Sequence, residues 1–398
     1  MTMPKAESPE PRALAIHYRR FRVADRLLLT GHSHQAWPDV GFAAQQRAWL
    51  DAAELVDDKW TAAEAQARLV REGFARLLGD AADNIALGQN THELVTRWLS
   101  ALPWRERRRI VVTDAEFHTI RRQIDRLAEE GVPVSKIAAR PVDTLAERIA
   151  RAIDDQTVAV MVSSVLFDTA EIVPGLDVVA AACDAHGARL LVDAYHHLNV
   201  VPFDVASMGL SRAFVTGGGY KYCQLGEGNC FLRVPPDCDL RPALTGWFAE
   251  FADLERRHEH ADRVGYARGA AAFGGATYDP TSHYRAAAVF AFHRERALTP
   301  DGLRKISRHQ TALLRAEFER RDVDPATAHI VAMPDDRRAG FVAIATAAAR
   351  QLVPALRQRG VHVDARGDIL RLGPAPYVRD DQLQDAVACV VDALHALA

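Results

Sequence analysis

The sequence has few cysteines, and they are not arranged in pairs. It holds 5 in 398 residues, and no two of them form a Cys-x-x-Cys unit. The odd number argues against a disulfide framework, and the missing pairs argue against a structural zinc site. We therefore expect a fold that depends on neither disulfides nor a metal.

An excess of charge and a long apolar run are also missing. Lys and Arg number 49 against 52 Asp and Glu, a formal net charge of -3, so nothing suggests a surface for nucleic acid or anionic membranes. No stretch approaches the ~18 unbroken apolar residues of a membrane helix, and residues 1–15 lack the apolar core of a signal peptide. We expect a cytoplasmic protein that acts on small molecules and binds neither nucleic acid nor a membrane.

From about residue 60 onward, segments of helix-like and strand-like pattern alternate. Thr157 to Val165 and Arg189 to Asp193 are continuous β-branched or aliphatic runs, typical of strands covered on both faces. Leu176 to His186 between them fits a crossover helix. Further strands are expected at 109–113, 213–216 and 230–234. This order predicts an α/β domain with a mostly parallel sheet.

The C-terminal part follows a different order. A long charged helix is expected at 301–322, a last helix begins at Asp380, and short strands are expected at 330–333, 341–346, 361–364 and 369–372. We interpret this part as a smaller α+β domain. The predicted organisation is an N-terminal segment (1–60) that packs on the small domain, a large domain (61–295) and the small domain (296–398).

The densest candidate site follows the predicted strand 213–216. Lys221 stands there in a glycine-rich stretch, where burial can keep its amine reactive. Asp193 ends another predicted strand, at the edge where open α/β sheets bind ligands. A carboxylate there can hold the pyridine nitrogen of pyridoxal phosphate (PLP) protonated. Taken singly, a surface lysine in a glycine turn and an aspartate capping a turn explain these residues equally well.

A third element is a helix start at Asn90 and Thr91. Free backbone N–H groups and a hydroxyl suit a phosphate there, although plain N-capping by Asn90 is compatible with the same residues. Phe117 follows the strand 109–113. Its ring is expected either to lie over a cofactor ring or to pack in the core. A strand-linked Gly-x-Gly-x-x-Gly is absent, which disfavours a nicotinamide-dependent enzyme.

Together these motifs resemble the class V aminotransferase group of the fold-type I PLP enzymes, and within it the kynureninase family. The matching segments are Asp193 with His196, Tyr220-Lys221-Tyr222, Gly226-Glu227-Gly228, Gly246-Trp247, in part Gly275-Ala276-Thr277, and Arg371-Leu372-Gly373-Pro374-Ala375-Pro376. The resemblance implies a large domain with a seven-stranded type of sheet, PLP as cofactor and a homodimer.

The resemblance also implies roles for individual residues. Lys221 is the lysine that attaches the cofactor and shuttles protons, with Asp193 and Tyr220 as its catalytic companions. The implied cofactor contacts are Lys221, Asp193, His196, Asn90, Thr91, Phe117, Tyr220, Trp247 and, from a neighbouring subunit, Thr277. Arg371 is the expected clamp for the substrate α-carboxylate, a task suited to its bidentate fork.

The implied activity is hydrolysis of the Cβ–Cγ bond of kynurenine or a related aryl-keto amino acid, giving alanine and an aromatic acid. The sequence departs from the family at residues 31–35, where His32, Ser33 and His34 are candidate substrate readers, or merely exposed loop residues, and at Ile120, where the family has Asp. Transamination and C–S lysis remain alternatives, as does a catalytically silent relative. Cysteine desulfuration is disfavoured, since Cys389 lies inside the predicted last helix.

Overall fold

Strands and helices alternate along most of the chain in the computed structural model, which describes residues 10–253 and 264–397. In chain order the strands are β1 (Leu27–Leu28), β2 (Ile85–Gly88), β3 (Arg109–Thr113), β4 (Val134–Ile137), β5 (Thr157–Ser163), β6 (Arg189–Asp193), β7 (Phe214–Gly218), β8 (Cys230–Arg233), β9 (His329–Ile330), β10 (Val342–Ala345), β11 (Val361–His362), β12 (Asp364–Arg366) and β13 (Ile369–Leu372). The helices are α1 (Pro11–Ala15), α2 (Val40–Leu55), α3 (Lys59–Leu78), α4 (Thr91–Ala101), α5 (His118–Glu129), α6 (Leu145–Ala152), α7 (Leu176–His186), α8 (Thr281–Glu295), α9 (Pro300–Glu319), α10 (Ala349–Gln358) and α11 (Asp380–Leu397).

The large sheet has seven strands in the order β2-β8-β7-β6-β5-β3-β4. Its pairs are parallel except those of β8, which runs antiparallel to both β2 and β7. All seven residues of β5 are buried, because helices cover both faces of the sheet and the five apolar residues between its ends join the hydrophobic clusters there. The mostly parallel α/β fold expected from the sequence is therefore confirmed.

The C-terminal part holds a four-stranded antiparallel sheet in the order β12-β13-β10-β9. The sequence predicts one strand at 361–364, whereas the structure divides that stretch in two. β11 pairs with β1 in a separate parallel ladder, and β12 pairs with β13. The division arises because consecutive residues find hydrogen-bonding partners in different sheets, which local pattern does not reveal.

The N-terminal segment also divides. Leu14, Tyr18 and Leu29 belong to the hydrophobic cluster of the C-terminal part, whereas Gly41 in α2 lies against Arg285 of α8. Helix α8 itself is shared, since Phe290 joins the cluster under the large sheet and Phe292 the C-terminal one. We keep the domain limits near residues 60 and 295 as a proposal. Residues 1–9 of the N-terminal segment lie outside the described part.

No helix within the described ranges is long and apolar enough to cross a membrane. The same residues contain no group of three or more His, Cys, Asp or Glu side chains arranged to hold a metal ion. All five cysteines are free thiols. Packing and hydrogen bonding of the described elements therefore account for the fold without covalent cross-links.

Candidate active site

A cavity of about 240 Å³ opens at the carboxyl ends of the parallel strands. Ser163 at the end of β5 and Asp193 at the end of β6 line it, and Lys221 enters from the loop after β7. This is the edge at which parallel α/β sheets bind ligands, because the strands end there together and the loops that follow diverge. The sequence-predicted lysine and aspartate are thus brought to one site.

Lys221 is buried, with its amine surrounded by aromatic rings. Its Nζ lies 4.5 Å from the ring centroid of Tyr195, 5.3 Å from that of Phe117 and 5.7 Å from that of Tyr220. Burial lowers the pKa of Lys221 to about 7, although the charge of Asp193 opposes the shift. A substantial fraction of the amine is therefore unprotonated at neutral pH, as a nucleophile or base requires.

His196 is the hydrogen-bonding partner of that amine. Its Nε2 lies 2.7 Å from Lys221 Nζ. Burial, together with the charge of Lys221, lowers the pKa of His196 well below its usual range, so the ring is neutral and Nε2 accepts. The ring proton is then on Nδ1, a buried atom without a hydrogen-bond partner among the described residues. The sequence assigned His196 to the cofactor site, and the structure places it against the lysine.

Asp193 faces the cavity from the end of β6. The backbone N–H of Tyr195 donates to its Oδ1 at 2.8 Å and fixes the carboxylate. Burial raises the pKa of Asp193, while that N–H and Lys221 oppose the change. A buried carboxylate of this kind gains most from a cationic partner inside the cavity. The protonated nitrogen of a heterocyclic ligand would be such a partner.

Helix α4 begins at the cavity, with Thr91 as its first residue. Asn90 caps the helix, since its side-chain oxygen accepts from the N–H of Glu93 at 2.9 Å. Both residues line the cavity together with Gln89. The free N–H groups of this first turn and the helix dipole favour an anion. Capping and a phosphate site, which the sequence left as compatible alternatives, are compatible here as well.

Phe117 lines the cavity and precedes α5. Its neighbour Glu116, which the sequence analysis overlooked, is buried and accepts hydrogen bonds from Ser163 Oγ at 2.6 Å, Ser163 N at 3.1 Å and Thr113 Oγ1 at 2.6 Å. Burial raises the pKa of Glu116 to about 7, against the effect of these donors. The carboxyl group ties the ends of β3 and β5 together and so fixes the backbone that carries Phe117.

Two family profiles match the chain. Residues 55–223 match the profile described as aminotransferase class-V, and residues 303–390 match the profile described as kynureninase C-terminal domain. The first range contains Asp193 and Lys221, and the second contains Arg371. The part of the chain that carries Asp193 and Lys221 is therefore a class V aminotransferase domain of the fold-type I pyridoxal-phosphate enzymes.

Individual relatives agree with this placement. The uncharacterized aminotransferase YcbU of Bacillus subtilis is 24% identical over 330 residues, which cover 82% of this chain and 84% of that protein. A variant of C-DES with glycine covalently linked to the PLP cofactor superposes with a TM-score of 0.81 at 17% identity, covering 95% and 98% of the two chains. The cysteine desulfurase CsdA of Escherichia coli gives 0.81 at 17% identity, covering 98% and 100%.

The cofactor of this class V protein is PLP, and the donor set fits it. The cavity offers a partly unprotonated amine for the aldehyde, a buried carboxylate for the ring nitrogen and a helix N-terminus for the phosphate. Phe117 supplies an aromatic face. His196 Nδ1, which has no hydrogen-bond partner in the described part of the chain, marks a further polar position in the same site.

The loop 31–35, where the chain departs from kynureninases, is only partly at the entrance. His34 stacks on Tyr220 with ring centroids 4.9 Å apart, and its Nε2 lies 3.7 Å from Glu227 Oε1. Tyr220 and Glu227 both line the cavity. His34 is thus beside the mouth, whereas Ser33 Oγ donates to the carbonyl of Thr30 and stabilises the turn.

His32 is not among the residues that line the cavity. The structure therefore contradicts both its prediction as a substrate-binding residue and the alternative that it is an exposed loop residue. Its side chain is fully buried, and Nε2 lies 2.7 Å from Asp364 Oδ1. Ile120 is the other position at which the sequence departs from the family. It lies on α5, and its apolar side chain is buried in the core. Ile120 therefore acts in packing.

Arg371 is buried close to the site but is already paired. It forms a two-point ion pair with Asp364 and donates from Nη1 to the carbonyl of Phe167 at 2.5 Å. Phe167 lines the cavity, and the charge of Arg371 lowers the pKa of Lys221. Arg371 therefore stands behind the cavity wall, with a partner that the sequence analysis did not predict.

Two predicted phosphate contacts lie outside the cavity of the single chain. Trp247 is 46% exposed and packs on Phe248 and Phe251. Thr277 is exposed as well. Tyr220, in contrast, lines the cavity beside Lys221, and burial raises its pKa to about 12, so that its hydroxyl remains a donor.

Asp364 could have been found from a turn signal. Gly367 and Asp368 stand between two strand-like stretches, a typical two-residue hairpin connection, and Gly367 adopts φ +56. Counting back from such a turn places Asp364 opposite Arg371, as the observed ladder has it. For Glu116 the sequence offers no comparable signal, because its partner Ser163 lies on a distant strand.

Proposed function

We propose that the protein is a PLP-dependent hydrolase of the kynureninase type. Its substrate would be kynurenine or a related aryl-keto amino acid, cleaved between Cβ and Cγ. The observation that carries the proposal is the match of residues 303–390 to the kynureninase C-terminal domain, because this range contributes Asp364 and Arg371 beside the cavity. Water is added across the bond, so that its hydroxyl joins the aromatic acyl carbon and alanine leaves with a proton at Cβ.

Bound PLP supplies an electron-withdrawing ring that stabilises negative charge on the substrate. Lys221 Nζ takes the proton from the substrate Cα and returns it to Cα of the product alanine, a task that suits an amine with a pKa of about 7. His196 Nε2 holds that amine by accepting its hydrogen bond. Asp193 would hold a proton on the ring nitrogen of bound PLP, and Phe117, which lines the same cavity, would supply an aromatic face that excludes water.

The class V fold also supports transamination and C–S lysis, which are the alternative activities. One structural relative is the cystine C-S lyase C-DES, solved with its product cysteine persulfide, at a TM-score of 0.79 and 17% identity, covering 93% and 98% of the chains. A desulfurase mechanism needs a reactive thiol. The thiol in this cavity is that of Cys230, whose pKa burial raises to about 12, so it is a poor nucleophile at neutral pH.

The proposal is tested by product analysis in water enriched in oxygen-18. PLP-loaded protein is incubated separately with kynurenine, 3-hydroxykynurenine, cystine, and alanine plus keto acids. We expect alanine and an aromatic acid from one or both kynurenines, with one labelled oxygen in the acid, as hydrolysis demands. Mass spectrometry identifies the products. Pyruvate and a persulfide from cystine, or amino-group exchange with keto acids and no hydrolysis, would replace the proposal by C–S lysis or transamination.

We further propose that the active form is a homodimer and that Trp247 and Thr277 complete the partner's phosphate site. The support is their exposure outside their own cavity, together with the exposure of the apolar Leu244, Phe251 and Val264 in the same stretch of the chain. Sedimentation of the PLP-loaded enzyme should give a dimer, and Thr277→Ala should retain PLP less tightly on dialysis. The exposed Thr144→Ala is the matched control. A fully active monomer would rule this arrangement out.

A further inference from the structure

A carboxylate occupies one edge of the arginine expected to bind the substrate. Asp364 and Arg371 are directly opposite in the ladder of β12 and β13. Arg371 Nε donates to Asp364 Oδ1 at 2.8 Å, and Nη2 donates to Oδ2. The pair is therefore side-on and bidentate, an arrangement that fixes the plane of the guanidinium.

Arg371 has more N–H donors than Asp364 and Phe167 accept. A guanidinium has five N–H groups. Asp364 takes one from Nε and one from Nη2, and the Phe167 carbonyl takes one from Nη1. One N–H on Nη1 and one on Nη2 have no acceptor among the residues that the structure describes, and these two nitrogens form the end-on edge of the group. Since Phe167 also lines the cavity, Nη1 lies next to the cavity wall.

His32 holds the same carboxylate from another direction. Its Nε2 donates to Asp364 Oδ1 at 2.7 Å, while its ring lies 4.6 Å from the ring centroid of Phe341. A Cβ at Gly373 would come within 2.1 Å of His32 Nδ1, so the chain leaves room for this ring only with glycine at 373. Burial lowers the pKa of His32 to about 4, which keeps the ring a neutral donor at pH 7.

Asp364 is fully ionised at neutral pH. Burial by itself would raise its pKa, but the hydrogen bonds from His32 and Arg371 and the charge of Arg371 outweigh that effect and hold the pKa far below its usual range. Arg366 adds a weaker contact at 3.8 Å. The anion thus has three cationic or donor neighbours and stays in one position.

We propose that Asp364, anchored by His32, is a positioning residue that holds Arg371 by its side edge and leaves the end-on edge for the substrate α-carboxylate. This rests on the proposed function only in taking the substrate to be an amino acid. Without Asp364 the guanidinium loses the two hydrogen bonds that fix its plane. Binding of a carboxylate ligand then weakens, whereas binding of an amine without a carboxylate does not.

The test measures dissociation constants of L-phenylalanine and of 2-phenylethylamine, its decarboxylated form, by calorimetry on PLP-loaded enzyme. Asp364→Asn should weaken L-phenylalanine binding by about tenfold or more and 2-phenylethylamine by less than about twofold. Adding Asp364→Asn to Arg371→Ala should cause no further loss, because both changes remove the same contact. Asp368→Asn, an exposed aspartate of the same hairpin, is the charge-matched control.

His32→Leu keeps the Asp364–Arg371 pair and serves if Asp364→Asn folds poorly. We expect a smaller loss, about threefold, confined to L-phenylalanine. Equal losses for both ligands, tighter L-phenylalanine binding in Asp364→Asn, or a wild type that binds the amine as well as the amino acid would overturn the proposal. Failure of the proposed function can be told apart from failure of this proposal. It would show as absence of kynurenine hydrolysis, and the binding of L-phenylalanine and 2-phenylethylamine could still be compared.

Discussion

Replacing Lys221 by alanine is expected to remove the covalent attachment of PLP and to lower turnover by about 10³-fold or more. The physical reason is that the amine supplies both the link to the cofactor and the base for the substrate Cα proton. His196, which lies beside Lys221, has a pKa well below the usual range. Its imidazole is not a primary amine, so it cannot replace the covalent link between Lys221 and PLP. The measurement is borohydride reduction of PLP-loaded protein followed by peptide mass mapping, with steady-state turnover alongside.

The matched control is Lys305→Ala, an exposed lysine on α9. It should keep the reduced adduct on Lys221 and full turnover. Lys221→Ala should carry no reduced adduct. If the adduct of the wild type maps to a different lysine, the assignment of the whole cavity as the PLP site is wrong.

The second large effect is loss of stability in mild acid. Four histidines have their pKa lowered to about 4 by burial, and they are His32, His197, His283 and His293. Burial also lowers the pKa of a fifth, His196, well below its usual range. In the unfolded chain the same side chains bind protons below about 6.5. The unfolded state therefore holds more protons between these values, and the free energy of unfolding falls as pH falls from about 6.5 to about 4.

Two carboxyl groups act in the opposite direction. The pKa of Glu116 is raised to about 7 and that of Asp193 is raised as well, both by burial. The folded state thus holds up to two extra protons in this pH range. The net uptake on unfolding is two to three protons near pH 5, so the apoprotein should lose about 3 kcal/mol of stability per pH unit there. Urea denaturation of apoprotein at pH 7.5, 6 and 5 measures this slope.

His283→Phe provides the control for this slope. Neither ring nitrogen of His283 has a hydrogen-bond partner among the described residues, and the ring packs on Tyr278 with centroids 4.8 Å apart. Phenylalanine keeps that contact and cannot take up a proton. The slope should therefore fall by about 1 kcal/mol per pH unit. An unchanged slope, or stability that rises between pH 6.5 and 5, would contradict the assignment of neutral buried histidines.

The residues that sequence reasoning located are those whose placement depends on local pattern and chain order. Lys221 and Asp193 each follow an apolar run, and Thr91 follows a capping Asn90. Parallel strands connected by helices must end at the same edge of the sheet, so residues that follow such runs converge. For this reason the α/β fold and the main chemical groups of the cavity could be predicted without coordinates, and the resemblance of the motifs to class V enzymes gave the cofactor.

The sequence erred where a residue's environment depends on a distant segment. His32 stands in a polar-looking loop, and only the packing of that loop against the C-terminal sheet buries it beside Asp364. The stretch 361–364 reads as one strand, and competition between two sheets divides it. Neither result follows from the local pattern, because hydrophobic periodicity reports which face is apolar and not which partner covers it.

Pattern and chain order alone predicted an α/β fold in which a lysine and an aspartate follow or end buried strands, since strand periodicity and connection rules act over short distances. The resemblance of the motifs to class V enzymes added the cofactor. What surrounds the two residues depends on the packed chain: the neutral His196 against Lys221, Glu116 between β3 and β5, and Asp364 on the side edge of Arg371. These contacts join residues from separate strands and loops. Their pKa values and hydrogen bonds depend on burial, which arises only when the whole chain has packed.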